Sequence, residues 1–375
     1  MRSLIVFFSL FFVLSSESQN YYLFVGTYTQ NGSNGIYVYR FDGKTGKLEK
    51  VSDTKGTIVN PSFLTIAPNK KFIYACTDTK LKTDGSVSAF SFNDSTGVLK
   101  FINKQNSGGA NPVYLSVHKS NKFLVNANYT GGNISVFPIN ADGSLAPFSQ
   151  LVQDSGKSVN TERQEKAHVH SLVFSYSQKE LFAPDLGTDK IMGFAVNEKK
   201  KEPLSALDAV FVSSVKGSGP RHFTFHPNGK FAYCIEELTG TVAAYKFSKK
   251  RLDTIQRIAA HNETKDSIFS SADIHVSPDG KFLYASNRRE NENNLAIFSI
   301  DQKTGKLKLL DFQPTHGEIP RNFIIEPSGK FILVANQLTG NVVVFERNTE
   351  TGFLNATGEK INVSSPSCLQ LMEIK

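Results

Sequence analysis

Apolar and polar residues alternate over short stretches along nearly the whole chain, and no stretch holds a helical period. In "GPRHFTFHPNGKFAYCIEEL", residues 219–238, Phe223 and Phe225 alternate with polar neighbours, "HPNGK" supplies a turn, and Phe231, Tyr233 and Ile235 resume the period of two. That pattern predicts a β-hairpin. The turn recurs as "APNKKF", "KSNKF", "YSQKEL", "HPNGKF", "SPDGKF" and "EPSGKF". The aligned lysines, Lys71, Lys122, Lys179, Lys230, Lys281 and Lys330, are separated by 51, 57, 51, 51 and 49 residues. A strand precedes each turn ("PSFLTI", "PVYLSV", "HSLVF", "PRHFTF", "SADIHV", "PRNFII") and another follows it. A third strand and a weaker fourth complete each unit, as in "GSVSAFSF" with "GVLKF". Four short antiparallel strands per repeat of about 50 residues predict the blade of a β-propeller.

Six units are complete. "YLFVGTYTQNGSNGIYVYRFDGKTGKLEK" near the N-terminus carries later strands without a first, and "SPSCLQLMEIK" at the C-terminus is a first strand with nothing after it. Together they predict a seventh blade, shared between the termini, that closes the ring and removes its edges. The expected architecture is an all-β, seven-bladed propeller forming one domain over residues 20–375.

In such a ring the first strand of each blade lines the central channel and the second runs back beside it. The start of strand one and the end of strand two therefore meet at the same mouth. The starts supply Pro61-Ser62, Asn111-Pro112, His170-Ser171, Pro220-Arg221, Ser271 and Pro320-Arg321; the ends supply Asp78, Asn128-Tyr129, Asp185, Glu236-Glu237, Asn287-Arg288 and Asn336-Gln337. Arginines, histidines, acids and amides are thus predicted to surround one opening, where a rigid scaffold presents functional groups. The structural alternative is that Arg221, Arg321 and Glu237 are inter-blade ion pairs. His168 and His170 share a face but have no third ligand, so no metal is expected. His222 and His226 read as hydrogen-bonded or solvated residues of the hairpin, and "TDTKLKTDG" and "NRRENENN" as surface loops.

"MRSLIVFFSLFFVLSSESQN" has a positive start, an apolar run over 4–14 and small polar residues after it. It reads as a leader over residues 1–19 that directs the chain to the periplasm or outside, because the run is too short to span a bilayer. No other stretch approaches a membrane span. The net charge of +8 is scattered over turns such as "NEKKKEP" without an aromatic-interleaved stripe, so no nucleic-acid partner is expected, and a bias toward small anions remains. Cys76, Cys234 and Cys368 lack paired spacing; that excludes a disulfide-stapled scaffold and a thiolate metal cage, and buried free thiols are expected, with one disulfide left open. Nucleophile elbows, zinc-protease signatures and phosphate-cradling loops are absent. Metal-free acid/base and electrostatic chemistry, or binding alone, is what the residues allow.

"FVGTYT", "AHVHSLVFS…APDLGTDKI", "GPRHFTFHPNGKFAYCIEEL", "SPDGKFLYASNR" and "PRNFIIEPSGKFILVANQ" together resemble the seven-bladed propeller lactonase family, which includes bacterial 6-phosphogluconolactonases and fungal carboxymuconate lactonising enzymes. The resemblance covers almost the whole chain after the leader. It implies hydrolysis of a sugar lactone without a cofactor, by a monomer acting on a small anionic lactone or related carboxylate. It also carries the family's active-site residues onto His170, Arg221, Glu237 and Arg288.

Lactone hydrolysis needs an activated water and support for the developing oxyanion. Glu237 is the expected general base, with His170 competing for that role. Arg221 and Arg288 would hold the oxyanion or the substrate's anion. Arg321, Asn128, Gln337 and His168 are expected substrate contacts. Two alternatives stay open: a lactonising lyase acting on an unsaturated acid, and an exported binding propeller that catalyses nothing.

Overall fold

The C-terminal strand, Pro366–Glu373, pairs antiparallel with the N-terminal strand, Asn20–Thr27, and lies innermost in a four-stranded sheet completed by Tyr37–Asp42 and Leu48–Asp53. This is blade 1, and it closes the ring as the sequence predicts. The computed structural model describes residues 19–29, 31–207, 212–262, 269–289 and 292–374. Apart from Gln19, the expected leader lies outside the described residues.

Six further blades follow in chain order. Their innermost strands are Phe63–Ile66 (blade 2), Pro112–Val117 (blade 3), Val173–Phe174 (blade 4), Pro220–Phe225 (blade 5), Ser271–Val276 (blade 6) and Pro320–Ile325 (blade 7). Each pairs antiparallel with the strand after it, and the order runs outward strand by strand. Blade 4 departs from the others. Its inner strand shrinks to two residues plus an isolated bridge between Val169 and Asp185, beside which Asp185 Oδ1 accepts the His168 and Thr188 N–H groups.

Hydrophobic clusters fill the spaces between neighbouring sheets, as where Phe231 and Tyr233 of blade 5 pack with Phe298 and Leu307 of blade 6. Burying such faces supplies the main stabilisation, about 25 cal/mol per Å² of apolar surface. The blades are also registered by a repeated hydrogen bond. Tyr74 donates to the Gly143 carbonyl, Tyr233 to Gly305 and Tyr284 to Gly352, each reaching from a second strand into the outer turn of the next blade. Cys76, Cys234 and Cys368 are buried free thiols. No helix among the described residues is long and apolar enough to cross a membrane.

Candidate active site

The inner strands begin on a repeated irregularity. In blades 3, 5 and 7 the pairing register shifts between Pro112 and Tyr114, Pro220 and His222, and Pro320 and Asn322. Val113, Arg221 and Arg321 are therefore bulged residues. In blade 1 the corresponding shift leaves Ser367 outside the register. A bulge re-aims the side chain it carries, and all four line the channel at this mouth. Proline suits the first position of each strand because it needs no ladder donor there.

A cleft of about 430 Å³ opens here, with His170, Glu237, Arg288 and Arg321 in its wall beside Tyr28, Lys80, Tyr129 and Arg163. Arg221 lies in the narrow recess below, with His222. Beneath His170 the rings of Phe63, Tyr114 and His222 meet across the channel: Phe63 stacks on Tyr114 at 4.2 Å, and Tyr114 meets His222 edge-on at 5.3 Å.

Glu237 follows the second strand of blade 5, where its N–H donates to the Gly219 carbonyl at 2.7 Å. Gly219 adopts φ +65°, a left-handed conformation that suits glycine, and a Cβ there would strike Leu238. Arg221 and Glu237 thus come together at one end of their hairpin. Glu237 Oε2 lies 2.9 Å from Arg221 Nε and 3.0 Å from Arg288 Nη2, while Arg163 Nη2 donates to Oε1 at 2.6 Å. The Arg221 contact is off the hydrogen-bond direction, and Arg221 Nη1 donates instead to the Ala272 carbonyl. Burial alone would raise the Glu237 carboxyl; Arg288, Arg221 and Arg163 outweigh it and hold it down to about 2. Burial lowers Arg221 to about 9, reinforced by Arg288 and opposed by Glu237. Glu236 points the other way and pairs with Arg257, tying in the outer strand of blade 5.

His170 is buried, and its Nδ1 has no partner. Burial, then the charges of Arg221, His222 and Arg321, hold the imidazole well below its ordinary value, so it is neutral at pH 7. His222 donates to Asp273 Oδ1 at 2.7 Å, and burial brings it down to about 4. Asp273 also meets His275 and Asn322, joining the inner strands of blades 5, 6 and 7.

Three expected substrate contacts take other positions. Asn128 is buried, donates to the Ser107 carbonyl at 2.8 Å and to Asn133 Oδ1 at 2.7 Å, and accepts from Asn126, so it holds blade 3 together. His168 stacks on Tyr129 at 4.4 Å and lies 3.1 Å from Glu165, which makes it a support for the cleft wall. Gln337 caps the Ile319 carbonyl through its N–H and does not line the cleft.

Two cations went unforeseen. Lys80 sits in "TDTKLKTDG", which read as a surface loop, yet it lines the cleft with Nζ 4.0 Å from the Tyr28 ring. Although exposed as a residue, its ammonium is held below its ordinary value by desolvation, then by Arg321 and Arg288, against the pull of Tyr28. Arg163 sits in the long segment between blades 3 and 4, where Asn160 Oδ1 accepts the Glu162 and Arg163 N–H groups and Gln164 Nε2 donates to the Leu186 carbonyl. The signal for it was the spacing of 57 residues where the repeat elsewhere takes about 50.

The comparisons with known proteins agree with this architecture. The family described as lactonase, 7-bladed beta-propeller, matches residues 22–371. A 6-phosphogluconolactonase of Formosa agariphila is 42% identical over 350 residues, covering 93% of this chain and 99% of that protein. The structure of the periplasmic gluconolactonase of Pseudomonas aeruginosa superposes with a TM-score of 0.89 at 34% identity, covering 95% of this chain and 100% of that one. A solved structure from Bacteroides fragilis superposes with a TM-score of 0.90 at 41% identity, covering 96% and 99%. With the family model spanning nearly the whole described chain and the blade count and closure in agreement, the chain belongs to the seven-bladed β-propeller lactonase family.

Proposed function

We propose that the protein hydrolyses a sugar lactone bearing an anionic group, as its 6-phosphogluconolactonase relatives are named to do. One observation carries the reading. Five cations, Lys80, Arg163, Arg221, Arg288 and Arg321, surround the cleft and its recess with a single carboxylate among them, and a neutral imidazole stands in the wall. Such a field draws an anionic substrate and supports an oxyanion forming on the lactone carbonyl.

Two residues compete to activate the water, and the contacts favour His170, whose Nδ1 has no hydrogen-bond partner. Both oxygens of Glu237 are engaged by guanidinium groups, and a carboxyl at about 2 has little affinity for a proton at neutral pH. Glu237 instead gathers the arginines. The uncharged imidazole of His170 takes the proton of the attacking water, and the ring then returns it to the leaving ring oxygen. Arg288 and Arg221 stabilise the tetrahedral oxyanion. An incoming anion offsets the charge of Arg321 and Arg221, two of the causes that depress His170, so substrate binding strengthens the base.

Export is part of the same proposal: it rests on the apolar run near the N-terminus and on the likeness to a periplasmic gluconolactonase. Amino-terminal sequencing of protein recovered outside the cytoplasm should give a start near residue 17–20, and recovery only of uncleaved cytoplasmic protein would refute it.

The deciding experiment is hydrolysis of 6-phosphogluconolactone and glucono-δ-lactone above the spontaneous rate. Turnover lost on His170→Gln supports the proposal. No turnover of either lactone, with conversion of an unsaturated dicarboxylate in its place, would establish the lactonising alternative.

A further inference from the structure

We propose that Lys80 and Arg321, gathered on the ring of Tyr28, form a phosphate-monoester subsite by which the cleft distinguishes a phosphorylated lactone from its unphosphorylated counterpart. The inference rests on the lactone-hydrolase reading above. The five cations fall into two groups by position in the ring. Arg221, Arg288 and Arg163 belong to blades 5 and 6 and the segment ahead of blade 4, and all three share Glu237. Lys80 and Arg321 belong to the opposite arc, in blades 2 and 7, with Tyr28 of blade 1 between them.

No carboxylate among the described residues pairs with either member of the second group. Asp78, two residues before Lys80, is occupied by Lys104 at 2.9 Å. What the two cations share is an aromatic face: Lys80 Nζ lies 4.0 Å and the Arg321 guanidinium carbon 5.4 Å from the Tyr28 ring centroid. Cation–π attraction holds each in place but leaves their mutual repulsion uncompensated. An anion between them is the missing partner.

The backbone on both sides is held in unusual geometry. Lys80 has φ +59° and Ile319, two residues before Arg321, has φ +57°. Non-glycine residues seldom adopt this region, β-branched ones least of all, and such departures cluster where a site demands them. Each is tied down. The Lys80 N–H donates to Asn111 Oδ1 at 3.3 Å, and the Ile319 N–H to Asn293 Oδ1 at 2.8 Å. Asn111 and Ile319 themselves line the cleft.

A phosphate monoester brings about two negative charges at neutral pH and three acceptor oxygens. An ammonium with three donors and a planar guanidinium fork suit that group. The lactone ring then extends toward His170 and the arginines on the far side. An unphosphorylated lactone offers only a hydroxyl at the second group and leaves both charges unmet.

The test compares wild type with Lys80→Met, Arg321→Met and Tyr28→Leu. It measures kcat/KM on 6-phosphogluconolactone and glucono-δ-lactone, together with calorimetric binding of 6-phosphogluconate and gluconate. Each cation substitution should lower the preference for the phosphorylated lactone by roughly 10- to 100-fold and weaken 6-phosphogluconate binding to a similar degree. Equal losses on both lactones, or no loss on either, would overturn the subsite. If neither lactone is hydrolysed, the functional reading falls, and the calorimetry still decides the subsite. 6-Phosphogluconate binding that Lys80→Met weakens and gluconate does not match sustains it; equal binding of the two acids overturns it. Should Arg321→Met fail to fold by circular dichroism, Lys80→Met and Lys80→Glu at the exposed rim carry the same comparison.

Discussion

Arg163 and Glu237, 74 residues apart in the chain, meet at 2.6 Å and complete a carboxylate held by three arginines. Arg221 and Arg288 come from the regular blades, whereas Arg163 reaches in from the extended segment before blade 4. Its side chain is 42% exposed, so it closes the cluster from the solvent side.

Removing that outer arm should cost function more than stability. Arg163→Ala is expected to melt within a few degrees of wild type, since Arg163 reaches Glu237 from the solvent side and Arg221 and Arg288 still compensate the carboxylate without it. Its kcat/KM should fall at least ~10-fold as Arg288 and Arg221 lose their fixed spacing. Melting curves and lactone kinetics on one preparation check both parts, and a variant with wild-type kinetics would show that the clamp is structural.

His170 and Glu237 should separate under paired substitution. His170→Gln is expected to lower kcat by ~10²–10⁴-fold with little change in melting. Glu237→Gln leaves buried guanidinium groups uncompensated and should lose about 3–5 kcal/mol of stability along with activity. A stable, inactive Glu237→Gln beside an active His170→Gln would return the role of base to the carboxylate.

Two buried carboxyls give the stability profile opposite slopes. Glu237, at about 2 when folded against an ordinary 4.5, is deprotonated in the native state before it is in the unfolded chain. Its contribution is whole above pH 4.5 and is lost as the pH falls toward 2. Burial, then the neighbouring carboxylate of Asp154, pushes Asp185 from 3.8 up to about 7, so stability is lost as the pH rises across that interval. Urea titrations between pH 3 and 8 should show Glu237→Gln flattening the acid limb and Asp185→Asn flattening the neutral one. The asparagine can still accept the His168 and Thr188 N–H groups that Asp185 Oδ1 accepts. An unchanged slope in either variant would reject the corresponding assignment.

Asn128→Ala should be a stability variant. Truncation strands Asn133 Oδ1 and the Asn126 amide inside blade 3, at about 1–3 kcal/mol for each unsatisfied group, while the Ser107 carbonyl keeps the Ser135 hydroxyl. Specific activity of the folded fraction should stay at the wild-type level; a selective rise in KM would mean that Asn128 meets substrate after all.

The blades were legible because a period of two interrupted by one turn motif, repeated about every 50 residues, leaves little freedom in all-β topology. The same register brought His170, Arg221, Glu237, Arg288 and Arg321 to one mouth. It could not say which way a terminal side chain turns, and so Asn128 and His168 were assigned to substrate when their hydrogen bonds face the wall. The bulges at Arg221 and Arg321 decide that orientation, and a bulge leaves only a Pro-x dipeptide as its trace. Lys80 and Arg163 were obscured for another reason. They ride on connections between strands, where hydrophobic periodicity carries no information.

The placement of Pro366–Glu373 innermost in blade 1 also sets an order of events during synthesis. Blades 2 to 7 can each pair locally as they leave the ribosome, but Asn20–Thr27 must wait for the last strand to appear before its inner edge is covered. Until Pro366–Glu373 pairs, the inner edge of Asn20–Thr27 has no strand to cover it and the ring is not closed. Tyr28 then has no fixed relation to Arg321 at the other tip, and the recess still lacks Ser367. The eight residues Pro366–Glu373 act as the latch of the molecule, and the anion-binding cleft is complete only when that latch shuts.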